Sequence, residues 1–218
     1  MSILDNIEKL KGRLSYLRGM QVQGIELPSQ ALVEFEPSQI SVLVNTLLDA
    51  TLPLDPRAKG VIEKHKGKHH NREGYPDYDA PAFDLRVELK GHFIEKMSPP
   101  LKEMRSRREA SARLREASTE IDKDHDAILV VAWHLKEISG KVVPIIADYL
   151  VISAWDAAFV RDKSLLDRGG KFSSDGIPLR LKRGKAGSTP EDYELDDNFG
   201  KLKRIPHPEL AAFLKKYS

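Results

Sequence analysis

Residues 83–90 alternate without interruption between apolar and charged side chains, with Phe83, Leu85, Val87 and Leu89 set against Asp84, Arg86, Glu88 and Lys90. Successive side chains of a strand point to opposite faces, so the segment predicts a strand with one face for a core and one that is wholly ionisable. A different period governs the N-terminus. Ile3, Ile7, Leu10, Leu14 and Leu17 recur at helical spacing. They predict a helix over 2–18 that either packs on the domain or forms a dimerisation seam, since two heptads do not separate the two. Residues 19–36 mix glycine, proline and β-branched side chains and predict a loop with one short strand. Pro37 and Ser38 open a second helix over 39–50 with a wide apolar face of Ile40, Leu43, Val44, Leu47 and Leu48, and Pro53 and Pro56 end it.

A third, shorter helix is predicted from Arg57 to His65, and a long, charge-rich one over 101–121. The run AILVVAWHL after Asp126 and the run VVPIIADYLVI after Gly140 are continuously apolar, the mark of strands buried on both faces. Ser153 caps a helix reaching Leu166. A last helix over 208–217 carries Leu210, Phe213 and Leu214. Helix, charged hairpin, helix and two buried strands together predict an α/β fold.

Composition narrows the class more than the function. Lys plus Arg number 35 against 33 Asp plus Glu, a net charge of +2 over 218 residues. That excludes a tail-driven nucleic-acid binder and leaves any basic surface local. The absence of cysteine excludes disulfides and thiolate metal sites and fits a reducing compartment. No apolar run approaches the roughly 20 residues that span a bilayer, and the N-terminus lacks the apolar centre of a signal peptide. The expectation is a soluble, cytoplasmic protein without membrane contact.

The chemistry gathers on the alternating strand. Asp84 shares a face with Glu88, yet four residues of strand span about 13 Å, too far for one ion. Asp77 lies in a turn-rich run with Gly74, Pro76, Asp79 and Pro81 that can fold one strand beside the next and bring its carboxylate to Glu88. Two converging acids suit Mg²⁺, a hard cation with oxygen ligands. Lys90, one pleat beyond Glu88, would add an ammonium beside it.

Pro76-Asp77 followed by Glu88-Leu89-Lys90 resembles the PD-(D/E)XK nuclease superfamily, which includes most type II restriction endonucleases. The order of elements over 57–160 resembles its restriction-endonuclease-like core, a mixed central β-sheet flanked by helices. The resemblance implies Asp77 and Glu88 as Mg²⁺ ligands, Lys90 as the catalytic lysine and Glu63, on a preceding helix, as an accessory acid. It further implies cleavage of double-stranded DNA to 5′-phosphate and 3′-hydroxyl ends, a homodimer, and a cognate methyltransferase in the same system. One nuclease domain over 1–218 is expected, with a helical part at 1–56, the catalytic core at 57–160 and a DNA-reading part at 161–218.

Basic segments flank that core. Lys68 and Arg72 lie in a glycine- and histidine-rich loop, Arg105 and Arg108 in the charged helix, and Lys171, Arg180, Lys182 and Arg183 in a glycine-rich stretch fit to approach phosphates or base edges. The acidic run 189–197 is expected to keep away from DNA. His69-His70-Asn71 has no third histidine at a spacing that closes a ββα-metal site. The alternatives are a structure-specific or repair nuclease of the same fold and a catalytically silent DNA-binding protein. A small-molecule α/β enzyme is disfavoured by the lack of a phosphate-cradling glycine loop or a Gly-x-Ser-x-Gly elbow.

Overall fold

The computed structural model describes residues 2–66, 75–102 and 112–218. Lys68, Arg72, Arg105 and Arg108 lie outside the described residues, as do the middle of the predicted 101–121 helix and the histidine-rich loop. In chain order the elements are α1 (Ile3–Arg13), β1 (Leu27–Pro28), α2 (Pro37–Thr51), β2 (Glu63–Lys64), β3 (Tyr78–Ala80), β4 (Leu85–Phe93), β5 (Asp126–Ile138) and β6 (Lys141–Ser153). They continue with α3 (Ala154–Asp167), β7 (Lys171–Phe172), β8 (Pro178–Leu181), β9 (Tyr193–Leu195) and α4 (Pro208–Lys216). A curled six-stranded mixed sheet runs β1-β6-β5-β4-β3-β2, and a smaller antiparallel sheet runs β7-β8-β9. In the larger sheet β4 and β5 are parallel and the other pairs antiparallel. The fold is α/β, and no described helix is long and apolar enough to cross a membrane.

The two long apolar runs form one hairpin. Ser139 and Gly140 both take positive φ, 52° and 76°, the backbone twist that a two-residue connection between twisted strands demands. From Ala127 to Trp133 every residue of β5 is fully buried. Alternate positions divide between two cores. Ala127, Leu129, Val131 and Trp133 face α1 and α2 with Leu10, Val44, Leu48 and Val87. Ile128, Val130 and Ala132 face α3 and α4 with Ala157, Leu210 and Leu214.

The helices follow their sequence signals. Ser2 and Asp5 form a reciprocal capping box at the start of α1, and Ser153 Oγ accepts from the Asp156 amide at the start of α3. Ile7, Leu10, Leu14 and Leu17 are buried in the first core, so the N-terminal stripe is used within the chain and does not form a seam.

Three predicted elements differ. Residues 57–61 are turns and Glu63 lies on β2, not on a helix; Gly60 sits at φ 72°, a conformation no right-handed helix contains. The described part of the 101–121 prediction is not helical. There Arg113 bridges Lys201, and the Leu114 amide donates to the Gly200 carbonyl at 2.8 Å, tertiary pairing that overrides local preference. The alternating strand begins at Leu85. Pro81–Phe83 is a 3₁₀ turn, and Asp84 adopts the left-handed conformation, which aspartate tolerates better than most residues.

Candidate active site

The antiparallel pairing of β3 and β4 sets Tyr78 opposite Val87, and the Asp77 amide donates to the Val87 carbonyl at 3.1 Å. Asp77 thus enters β3 beside Val87, next in the chain to Glu88, and Lys90 lies two residues beyond Glu88 along β4. The Leu89 amide donates to Asp77 Oδ2 at 2.7 Å, and Lys90 Nζ donates to Glu88 Oε1 at 2.7 Å. Asp77 and Glu88 are each 8% exposed. Three of the four predicted catalytic residues are thus brought together, and both carboxylates are nearly withdrawn from water.

The helix that flanks Asp77 and Lys90 is α2. Asn45 and Asp49, one turn apart on α2, line a cleft of about 180 Å³ with Asp77, Leu89, Lys90, Gly91 and Ala112. Asp49 Oδ1 accepts from the Tyr78 hydroxyl at 2.9 Å and pairs with Lys64. Glycine at position 91 is needed for this close approach, because a Cβ there would lie 1.8 Å from Asn45 Oδ1. Asn45 and Asp49 were not singled out by sequence. The available signal was an amide and a carboxylate four residues apart on α2, each next to a buried residue of its apolar face, Val44 and Leu48.

Two buried phenols record the negative charge of the region. Burial pushes the Tyr78 hydroxyl well above its ordinary range, and the carboxylates of Asp49, Asp77 and Glu88 push it further. Tyr75 is raised in the same direction, by burial first and then by Asp126 and Glu88. Arg86, on the ionisable face of β4, serves a different purpose. Its guanidinium grips fully buried Asp126 through Nε at 2.7 Å and Nη2 at 2.9 Å, locking the parallel register of β4 on β5.

Glu63 does not join the cleft. It is exposed on the edge strand β2, opposite Asp79, and lines a second cleft of about 460 Å³ with Asp79, Asp84, Arg86, Asp122 and His125. Asp84 lines the second cleft too, reaching His125 Nε2 at 3.3 Å. The acid that a helix presents to the cleft is Asp49.

The glycine-rich basic segment is the smaller sheet. Arg180 Nη2 pairs with Glu194 Oε1 at 2.7 Å across the strands β8 and β9, and Lys182 Nζ donates to the Glu191 carbonyl at 2.7 Å. The Lys171 ammonium sits 3.7 Å from the centre of the Tyr193 ring, within cation–π range. Arg183 is exposed. The acidic run thus packs on the basic one.

The donor set fits Mg²⁺. No group of three or more acidic or histidine side chains among the described residues is arranged to hold a metal, but Mg²⁺ is commonly held by one or two carboxylates while it keeps several waters. Asp77, which lines the cleft, and Glu88, bonded to the cleft residue Lys90, supply two such carboxylates. No family model, curated protein or solved structure matches the chain.

Proposed function

We propose that the protein is a Mg²⁺-dependent endonuclease that hydrolyses phosphodiester bonds of double-stranded DNA, a type II restriction enzyme built on a restriction-endonuclease-like core. The observation that carries the reading is that Asp77 accepts from the Leu89 amide at 2.7 Å while Lys90 donates to Glu88 at 2.7 Å, which gathers two acids and a lysine at one stretch of β4. Asp77 and Glu88 would hold the ion; when bound, it supplies Lewis acidity and a water of lowered pKa. The Leu89 amide fixes the Asp77 carboxylate at 2.7 Å, so that ligand is oriented before substrate arrives. The Lys90 ammonium offsets negative charge developing on the phosphoryl oxygens and orients the attacking water. The reading includes a homodimer matching a two-fold DNA site, a cytoplasmic location and a cognate methyltransferase.

A structure-specific or repair nuclease of the same fold is the second reading. Arg180 and Lys182 are engaged by Glu194 and the Glu191 carbonyl, which leaves fewer side chains for reading base edges.

Incubation of the full chain with mixed-sequence plasmid and linear DNA in Mg²⁺, with EDTA as control, tests both. Discrete fragments that vanish in EDTA, in Asp77→Ala and in Lys90→Ala are expected. Cleavage confined to branched or damaged substrates selects the second reading, and no cleavage of any DNA overturns both.

A further inference from the structure

We propose that Asn45 contacts the substrate directly, its side-chain amide donating to a non-bridging oxygen of the phosphodiester seated between α2 and β4. The substrate class rests on the nuclease reading; the orientation of the amide does not. Trp133 is fully buried on β5, and its indole Nε1 lies 3.1 Å from Asn45 Oδ1. An indole N–H can only donate, so the atom facing it must be the amide oxygen. The amide plane is thereby fixed, and Nδ2 with its two N–H donors is turned away from Trp133. Among the described residues Nδ2 makes no hydrogen bond, and Asn45 lines the cleft with Asp49, Asp77 and Lys90. The absence of a side chain at Gly91 makes room for the amide, since a Cβ there would meet Oδ1 at 1.8 Å.

The cleft thus offers two kinds of donor to an anion. The Lys90 ammonium brings charge and is already bonded to Glu88 at 2.7 Å. Asn45 Nδ2 brings a neutral donor whose amide is oriented by the Trp133 hydrogen bond at 3.1 Å, so it is aimed before charge builds on the phosphoryl group. Asp49 and Asp77 repel an anion unless a cation lies between.

The test uses the ¹⁵N-labelled full chain with dimethyl phosphate as the probe, in Ca²⁺ to withhold catalysis. The chain has two tryptophans, so Trp133 and Trp155 give two indole N–H resonances, assigned with Trp133→Phe. Binding is expected to shift the Asn45 amide pair and the Trp133 indole and to leave Trp155, on α3, in place. Asn45→Asp keeps an acceptor for Trp133 and the side-chain shape but replaces the donor; a Trp155 indole resonance at its wild-type position shows that it folds. With duplex DNA this variant is expected to lose roughly 10- to 100-fold in kcat, the scale of one hydrogen bond to a charged group, and to bind DNA more weakly as well, since the new carboxylate faces the phosphate. An Asn45 amide that does not move with the probe overturns the proposal. So does wild-type kcat in Asn45→Asp when the wild type cleaves, and then the nuclease reading stands. A shifted amide in a protein that cleaves no DNA keeps Asn45 as a phosphodiester contact and removes the nuclease reading alone.

Discussion

Replacing Asp148 by asparagine is expected to loosen both ends of the chain at once. Asp148 lies on β6 and is 8% exposed. Its carboxylate accepts from Arg18 Nε at 2.8 Å, from Lys216 Nζ at 3.0 Å, from the Tyr217 hydroxyl at 2.8 Å and from the Tyr149 amide at 3.0 Å. Burial by itself pushes this carboxyl up, and the hydrogen bonds from Arg18, Tyr217 and Lys216 outweigh it, holding the group well below the usual carboxylate range. Breaking a buried ionic network costs about 3–5 kcal/mol. Arg18 and Lys216 are 56% and 62% exposed at their side chains, so solvent screening brings the expectation to about 2–3 kcal/mol. In a chain of this size that lowers Tm by about 4–12 °C.

The pH dependence carries the sign. A carboxyl whose folded pKa lies below its unfolded value of about 3.9 contributes stability that is present above that value and is lost as pH falls towards the folded pKa. Urea titrations of wild type and Asp148→Asn should therefore differ by a constant amount from about pH 5 to 7 and converge below about pH 4. A difference under about 0.5 kcal/mol at pH 7, the range of an ordinary surface change, would refute the reasoning. So would a difference that persists undiminished in acid.

Buried His92 on β4 has its pKa lowered to about 4 by burial and then by the charge of Lys203. The unfolded chain therefore binds more protons between about pH 6.5 and 4, and stability should fall by up to about 3 kcal/mol as pH drops through that window. In His92→Gln that slope should be absent from urea midpoints. Arg161, 4% exposed, donates to the Leu114 carbonyl at 2.6 Å and to Asp162 Oδ1 at 2.8 Å. Arg161→Ala should cost about 3–5 kcal/mol, and amide exchange should speed up first around Leu114 and Ser118. Gly91→Ala should cost about 1–3 kcal/mol by forcing Asn45 aside, read as a lower urea midpoint together with a displaced Trp133 indole resonance.

Periodicity made the long elements legible. The stripe of Ile7, Leu10 and Leu14, the cap at Ser153 and the runs of β5 and β6 state local rules that packing obeys. The nearness of Asp77, Glu88 and Lys90 was legible in part, since one strand carries Glu88 and Lys90 and the preceding turn brings Asp77 to the Leu89 amide. What failed depended on distant partners. Residues 112–118 are held by Gly200, Arg161 and Asp162, none of them near in sequence. Asp49 enters the cleft through the packing of α2 on β4, whereas Glu63, closer to Asp77 along the chain, lies on the edge strand β2. The pairing of Arg180 with Glu194 needs the register of β8 on β9, which neither strand encodes alone.

The sheet also carries an order of assembly. β5 and β6 meet across a two-residue turn, with Ile138 beside Lys141, so their contacts close almost no loop. The parallel pair β4 and β5 meets only after the chain between Phe93 and Asp126 has been looped back, a closure with a larger entropic penalty. The hairpin is therefore expected to form first and to template β4, on which Glu88 and Lys90 ride. Destabilising substitutions in the hairpin should slow refolding, whereas those on β4 should chiefly speed unfolding.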